Sequence, residues 1–192
     1  MNRLIARFFR VQRGGLAFGR VVLALWLLIG VAGAQETPAE TEMTLTLLDE
    51  LILRIDENAQ REGNIWTLNY EELPVYIIAD GSADRMRIMV PILESAELQQ
   101  AQLYRILQAN FESALDARYA IAQGVLWSAY LHPLKTLSDV QFFSGLAQTL
   151  NLMSTFGGSY SSGALLFQGG DGVEEKELQE RSDDILRRGL NI

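Results

Sequence analysis

Across residues 98–133, LQQAQLYRILQANFESALDARYAIAQGVLWSAYLHP, the spacing of the apolar side chains changes from one period to another. In the first half Leu103, Ile106, Leu107 and Phe111, with Asn110 on the same side, recur at three and four, which predicts a helix with one apolar stripe. In the second half Tyr119, Ile121, Val125, Trp127, Ala129 and Leu131 fall on alternate positions, the period of a strand. Gln123-Gly124 breaks the alternation where a chain reverses, so 117–131 reads as an antiparallel hairpin. A helix that runs into a hairpin cannot bury both apolar surfaces alone, so the flanking chain must cover them.

The flanks supply that cover. A helix is expected from Thr44, with Thr41 or Thr44 as its cap, because Leu48, Leu51, Ile52 and Ile55 share one side. Asp49, Glu50, Arg54, Asp56 and Glu57 form its solvated side, and Gly63-Asn64 stops it. Three strands follow: 65–70 around Trp66, Leu68 and Tyr70; 75–79 behind Pro74; and 85–90 with Met86, Ile88 and Val90 inward. Asp80-Gly81-Ser82 turns between the last two, Pro91 closes the third, and Ser95 caps the central helix. Beyond Pro133, Ser138 or Asp139 opens a helix lined by Phe142, Phe143, Leu146, Ala147, Leu150 and Met153. The fold class is therefore α+β, ordered α-β-β-β-α-β-β-α, with a mainly antiparallel five-stranded sheet.

Charge is divided unevenly along the chain. Residues 1–34 hold Arg3, Arg7, Arg10, Arg13 and Arg20 and no acid; taking these from the 16 basic residues leaves 11 against 24 acids, a balance of −13. So acidic a body repels phosphate backbones and argues against nucleic acid and against acidic partners generally. The apolar run VVLALWLLIGV at 21–31, followed by Ala32-Gly33-Ala34, has the form of a signal peptide cleaved after Ala34, and export to the periplasm or beyond is expected. Left uncleaved, the segment would serve as a signal anchor and be the chain's only attachment to a membrane. Residues 35–42 form a tether. Residues 156–192 read as a Gly/Ser-rich linker, with a sticky patch at 164–167, and a loosely attached charged tail in which Leu178, Ile185 and Leu186 mark a weak amphipathic helix.

Reactive chemistry is sparse. With no cysteine there is no disulfide or thiolate, and the single histidine, His132, cannot by itself assemble a multi-histidine metal site. Asp80-Gly81-Ser82-Ala83-Asp84 lacks the glycine and terminal glutamate of a calcium loop and reads as a turn. Glu71-Glu72 and Glu174-Glu175 read as solvated charges, and Gly-Gly-Asp-Gly at 169–172 as linker. Tyr104, Tyr119, Trp127 and Tyr130 are aromatic filling for the core and sheet, or else part of a contact surface, because both sides of the 117–131 hairpin are apolar.

With these elements in place, residues 43–155 resemble the type III secretion chaperone-like superfamily, which includes effector chaperones and YbjN-type proteins. The resemblance is carried by LYRILQANF, ARYAIAQGVLWSAYLHPL and FFSGLAQTLNLM. It implies a binding module, commonly homodimeric, without an active site or cofactor, holding partner polypeptides along apolar patches of the first helix and the sheet. Leu48, Ile52, Leu126, Trp127 and Tyr130 are the expected partner or dimer contacts. The export signal sets this chain apart from cytosolic chaperones, and an envelope-sensing domain with a small-molecule pocket is the alternative expectation.

Overall fold

In a computed structural model, residues 42–163 and 172–192 are described. The apolar run at 21–31 with its cleavage point, nearly all of the 35–42 tether and the 164–167 patch lie outside the described residues.

Helix α1 (Leu45–Ile55) starts where the Thr44 hydroxyl accepts the Leu47 N–H at 3.2 Å, and it buries Leu48, Leu51, Ile52 and Ile55 as expected. It stops at Asp56, well before Gly63. The Asp56 carboxylate takes the Asn58 and Asn69 N–H groups, each at 2.9 Å, and turns the chain outward. Residues Gln60–Glu62 then form a short strand, β1, and Gly63-Asn64 becomes its hairpin turn into β2 (Ile65–Tyr70). The sheet therefore has six strands where five were expected. The extra strand, Gln-Arg-Glu, is exposed throughout and carries no apolar period that could announce it.

The remaining elements are β3 (Leu73–Asp80), β4 (Arg85–Glu94), α2 (Gln100–Glu112), β5 (Arg118–Ala122), β6 (Val125–His132), α3 (Asp139–Ser154) and α4 (Gly172–Leu190). The strand order is β1-β2-β3-β4-β6-β5, antiparallel throughout. Pro91 does not end β4. It sits where the β4–β6 register shifts, a bulge at which a missing N–H is tolerated. Ser95 begins a single 3-10 turn instead of capping α2; the capping box belongs to Gln99 and Gln102.

One face of the sheet is the core. Trp66, Leu68, Tyr70, Val75, Ile77, Ala79, Met86, Ile88, Val90, Leu126 and Tyr130 alternate into it. Helix α1 lies on that face, with the Trp66 Nε1–H donating to Asp49 at 2.6 Å. Helix α3 lies beside it: the Ser128 hydroxyl donates to Thr149 O at 2.8 Å and the Tyr119 hydroxyl to Leu152 O at 2.7 Å.

The charged tail is docked, not loose. Leu178 and Ile185 of α4 are buried, Leu186 and Leu190 pack on the core, and Arg181 Nη1 donates to Asn151 and Ser154 of α3, each at 2.9 Å. A few apolar residues suffice because α3 is buried nearly all round and needs a second cover opposite the sheet. The start of the Gly/Ser stretch is likewise held in place. Tyr160, Ser161 and Ser162 are buried, the Thr155 hydroxyl donates to Ser161 O at 2.8 Å, and the Ser162 hydroxyl accepts the Leu115 N–H at 3.0 Å.

Helix α2 lies against the β5 edge. The Asn110 carboxamide takes the Tyr119 N–H at 2.7 Å and donates to Tyr119 O at 3.0 Å, which satisfies part of an otherwise open strand edge. Ile106 and Ala109 are buried beneath the helix, whereas Tyr104, Leu107 and Phe111 are 63%, 65% and 91% exposed. The expected apolar stripe is thus split, with Ile106 covered and Leu107 and Phe111 left in solvent.

Candidate functional site: the uncovered face of the sheet

The alternate positions of the same strands point away from the helices. Cross-strand register lines them up in rows: Ile65 opposite Ile78, Ile78 opposite Arg87 and Arg87 opposite Leu131. The next row runs Thr67, Tyr76, Met89, Ala129, Arg118, and the next pairs Pro91 with Trp127 and Trp127 with Ala120. Ile65 and Leu131 are exposed, while Tyr76, Ile78, Met89 and Trp127 are half-buried by one another. The Tyr76 and Trp127 rings meet edge to face, 6.0 Å between centroids at 81°. The Trp127 Nε1–H donates to Ala122 O at 3.1 Å, so its polar atom is satisfied within its own hairpin and its ring is left as contact surface.

Of the five contact residues expected from the sequence, only Trp127 lies on this face. Leu48, Ile52 and Leu126 are fully buried and Tyr130 is 4% exposed, so the folded chain cannot offer them to a partner. The reason is parity. Leu126 and Tyr130 occupy the inward positions of β6, and the apolar stripe of α1 is used to cover the sheet. Tyr76, Ile78 and Met89 were missed. Their signal is the unbroken run Val75-Tyr76-Ile77-Ile78-Ala79, apolar on both sides of a strand in a sheet with helices on one face.

A second feature is a half-open cleft of about 420 Å³ between the end of β6 and the start of α3, lined by Asp116, Arg118, Tyr130, His132, Ser144 and Gln148 among others. Gln148 ties it together, donating to Asp116 and Ser144 at 3.3 and 3.2 Å and accepting the Asp116 N–H at 2.9 Å. Burial first, and then the charge of Asp116, push the Tyr130 hydroxyl up to about 12. His132 stacks on Tyr130 with centroids 6.0 Å apart, and its Nδ1 lies 2.7 Å from Pro133 O.

Asp80 belongs to a turn. Its carboxylate accepts the Ser82 hydroxyl at 2.6 Å and the Ser82 and Ala83 N–H groups at 2.9 and 3.0 Å, and these bonds hold it below the usual carboxylate range. Among the described residues no cluster of His, Asp and Glu is placed to hold a metal ion.

No protein-family model matches the sequence, and no curated protein matches it. The chain is similar to several solved structures. One is the ExsC–ExsE complex, at 12% identity and TM-score 0.46, covering 58% of this chain and 91% of that one. Another is the Yersinia pestis type III secretion chaperone SycH with a stable fragment of YscM2, at 20% and 0.46, covering 59% and 99%. A third is the HopA1–SchA chaperone–effector complex, at 16% and 0.45, covering 58% and 90%.

Proposed function

We propose that this chain is a non-enzymatic, exported protein-binding module that holds a partner polypeptide on the outer face of its sheet. The observation behind this reading is the contiguous surface of Ile65, Tyr76, Ile78, Met89, Trp127 and Leu131, which the helices leave uncovered. An antiparallel sheet packed on one side normally turns polar residues to water, and an apolar face of this kind marks an interaction surface. Its burial supplies roughly 25 cal/mol per Å² before ordering costs.

A photo-crosslinker at position 76 tests the reading against one at Gln179, an exposed position on α4. Polypeptide adducts at 76 and none at 179 are expected; equal or absent capture rejects the face. Export rests on residues 1–34 and is tested by the mass of the mature chain, which should begin at Gln35.

Homodimerisation is part of the proposal. Tyr104, Leu107 and Phe111 form an exposed stripe on α2, and a second copy is its proposed cover. Phe111→Glu should lower the mass seen by light scattering from dimer to monomer. The polar cleft at Asp116, Arg118 and Gln148 favours a second reading, small-molecule sensing, to be sought as a thermal shift against a metabolite panel.

A further inference from the structure

Beyond residue 34 the chain holds 11 basic residues against 24 acids, so carboxylates outnumber cations about two to one. Seven of the 11 are engaged in ion pairs. The four without an ion pair among the described residues are Arg85, Arg87, Arg118 and Lys135, and all four are exposed. Three of them, Arg85, Arg87 and Arg118, share the outer face of the sheet. Arg85 and Arg87 occupy outward positions of β4, and Arg118 stands opposite Ala129 in the row that runs through Met89 and Tyr76. Lys135 is apart from them: it follows β6 and lines a cleft with Glu42, Glu50 and Asp139 beside α1. Arg85 and Arg118 spend one donor each on the neutral carbonyls of Asp84 and Ala117, at 3.1 and 2.9 Å, and neither guanidinium makes an ion pair among the described residues. The acids on this face lie at its margins: Glu62 at the β1 edge, Glu94 at the far end of β4 opposite Val125, and Asp80 in the β3–β4 turn, where its own turn takes it up.

We infer that the partner is an extended polypeptide segment in which apolar anchors are flanked by aspartate and glutamate. This rests on the sheet-face reading and adds the partner's charge to it. The apolar rows take the anchors, and the unpaired guanidinium groups beside them accept carboxylates through paired N–H donors. The excess of −13 over the rest of the body does not oppose this at contact range, because separations beyond about 10 Å are screened at 0.1 M salt. The same excess disfavours an anionic bilayer, which would meet the acidic body as well as this face.

Fluorescence anisotropy with three labelled peptides tests the inference. They share one alternating Leu/Ser core and carry flanks of Glu, Ser or Lys. The purified chain should bind the Glu-flanked peptide about tenfold more tightly than the Ser-flanked one and bind the Lys-flanked one least, with the Glu advantage shrinking as salt rises. Arg87→Gln with Arg118→Gln should bring the Glu-flanked affinity down to that of the Ser-flanked peptide, with the unfolding midpoint unchanged. Equal binding of Glu- and Ser-flanked peptides overturns the charge inference and leaves the sheet-face reading standing. Failure to bind any of the three rejects both. Co-sedimentation with phosphatidylglycerol vesicles, without preference for the Glu-flanked peptide, assigns the face to a membrane instead and also overturns the inference.

Discussion

Gly145 of α3 lies so close to the Tyr130 ring of β6 that a Cβ at 145 would stand 2.5 Å from ring atoms Cδ1 and Cε1. Helix and sheet approach this closely only because position 145 has no side chain. Gly145→Ala should therefore force the two layers apart and lower stability by about 1–3 kcal/mol in denaturant unfolding. Adding Tyr130→Leu should recover part of the loss, and the double-mutant cycle measures the coupling.

Leu126 and Trp127 are adjacent in sequence but lie on opposite faces of β6. Leu126→Ala, in the core, should cost about 2–5 kcal/mol of stability. Trp127→Ala should cost the fold about 1 kcal/mol or less but cost partner binding about 2 kcal/mol or more, as expected of an aromatic anchor. Unfolding and binding measured on the same two variants separate the roles; Trp127→Ala binding like the parent would reject the face as the contact surface.

The turn between β2 and β3 is made by Glu71 and Glu72 at φ +49° and +69°, a left-handed conformation that suits glycine or asparagine. Glu72→Gly should gain about 1 kcal/mol by relieving that strain. Glu71→Gly should gain less, because Glu71 lies 3.8 Å from Arg181 Nε, a buried atom with no hydrogen bond of its own. Thermal midpoints of the two variants make the comparison.

Docking of α4 should depend on pH at both extremes. The Tyr70 hydroxyl donates to Asp184 at 3.2 Å. At Asp184, burial acts to raise the carboxyl, but hydrogen bonds from Arg187, Tyr70 and Arg188 and the charge of Arg188 outweigh it and hold the group below its usual range. A lowered value means that this contribution is present above the ordinary carboxylate pKa of about 3.9 and is lost as pH falls through the lower folded value. Tyr70 is pushed up to about 12, by burial first and then by the charges of Asp184 and Glu71. A raised value means that its contribution is complete below the ordinary pKa of about 10 and is lost as pH rises towards 12. Protection factors along α4, the exchange rates divided into their intrinsic values at each pH, should be highest between these limits, with Asp184→Asn weakening the acid limb and Tyr70→Phe the alkaline one.

Some of this was legible in local pattern. Gln123-Gly124, at φ +52° and +79°, is the hairpin turn its position in the alternation predicts, and Ser138 caps α3 as expected. The turn at Glu71-Glu72 was not legible as one, because it contains no residue that prefers its conformation. Nor was the seating of α4, whose Gly189 lies against the Phe143 ring and whose carbonyl at 189 accepts from Arg54 Nη1 at 3.0 Å.

Apart from the short exposed strand β1, the order and type of the main elements from Thr44 to Ser154 were determined by the sequence itself, because helical and strand periods are properties of neighbouring residues. Only the tertiary structure decided which side of each doubly apolar strand faces inward, that Leu107 and Phe111 of α2 meet water, and that Arg87 and Arg118 stand in the rows of the uncovered face. Each of these depends on which distant surfaces meet, and a period along the chain carries no record of register between strands or of the helix that arrives from its far end.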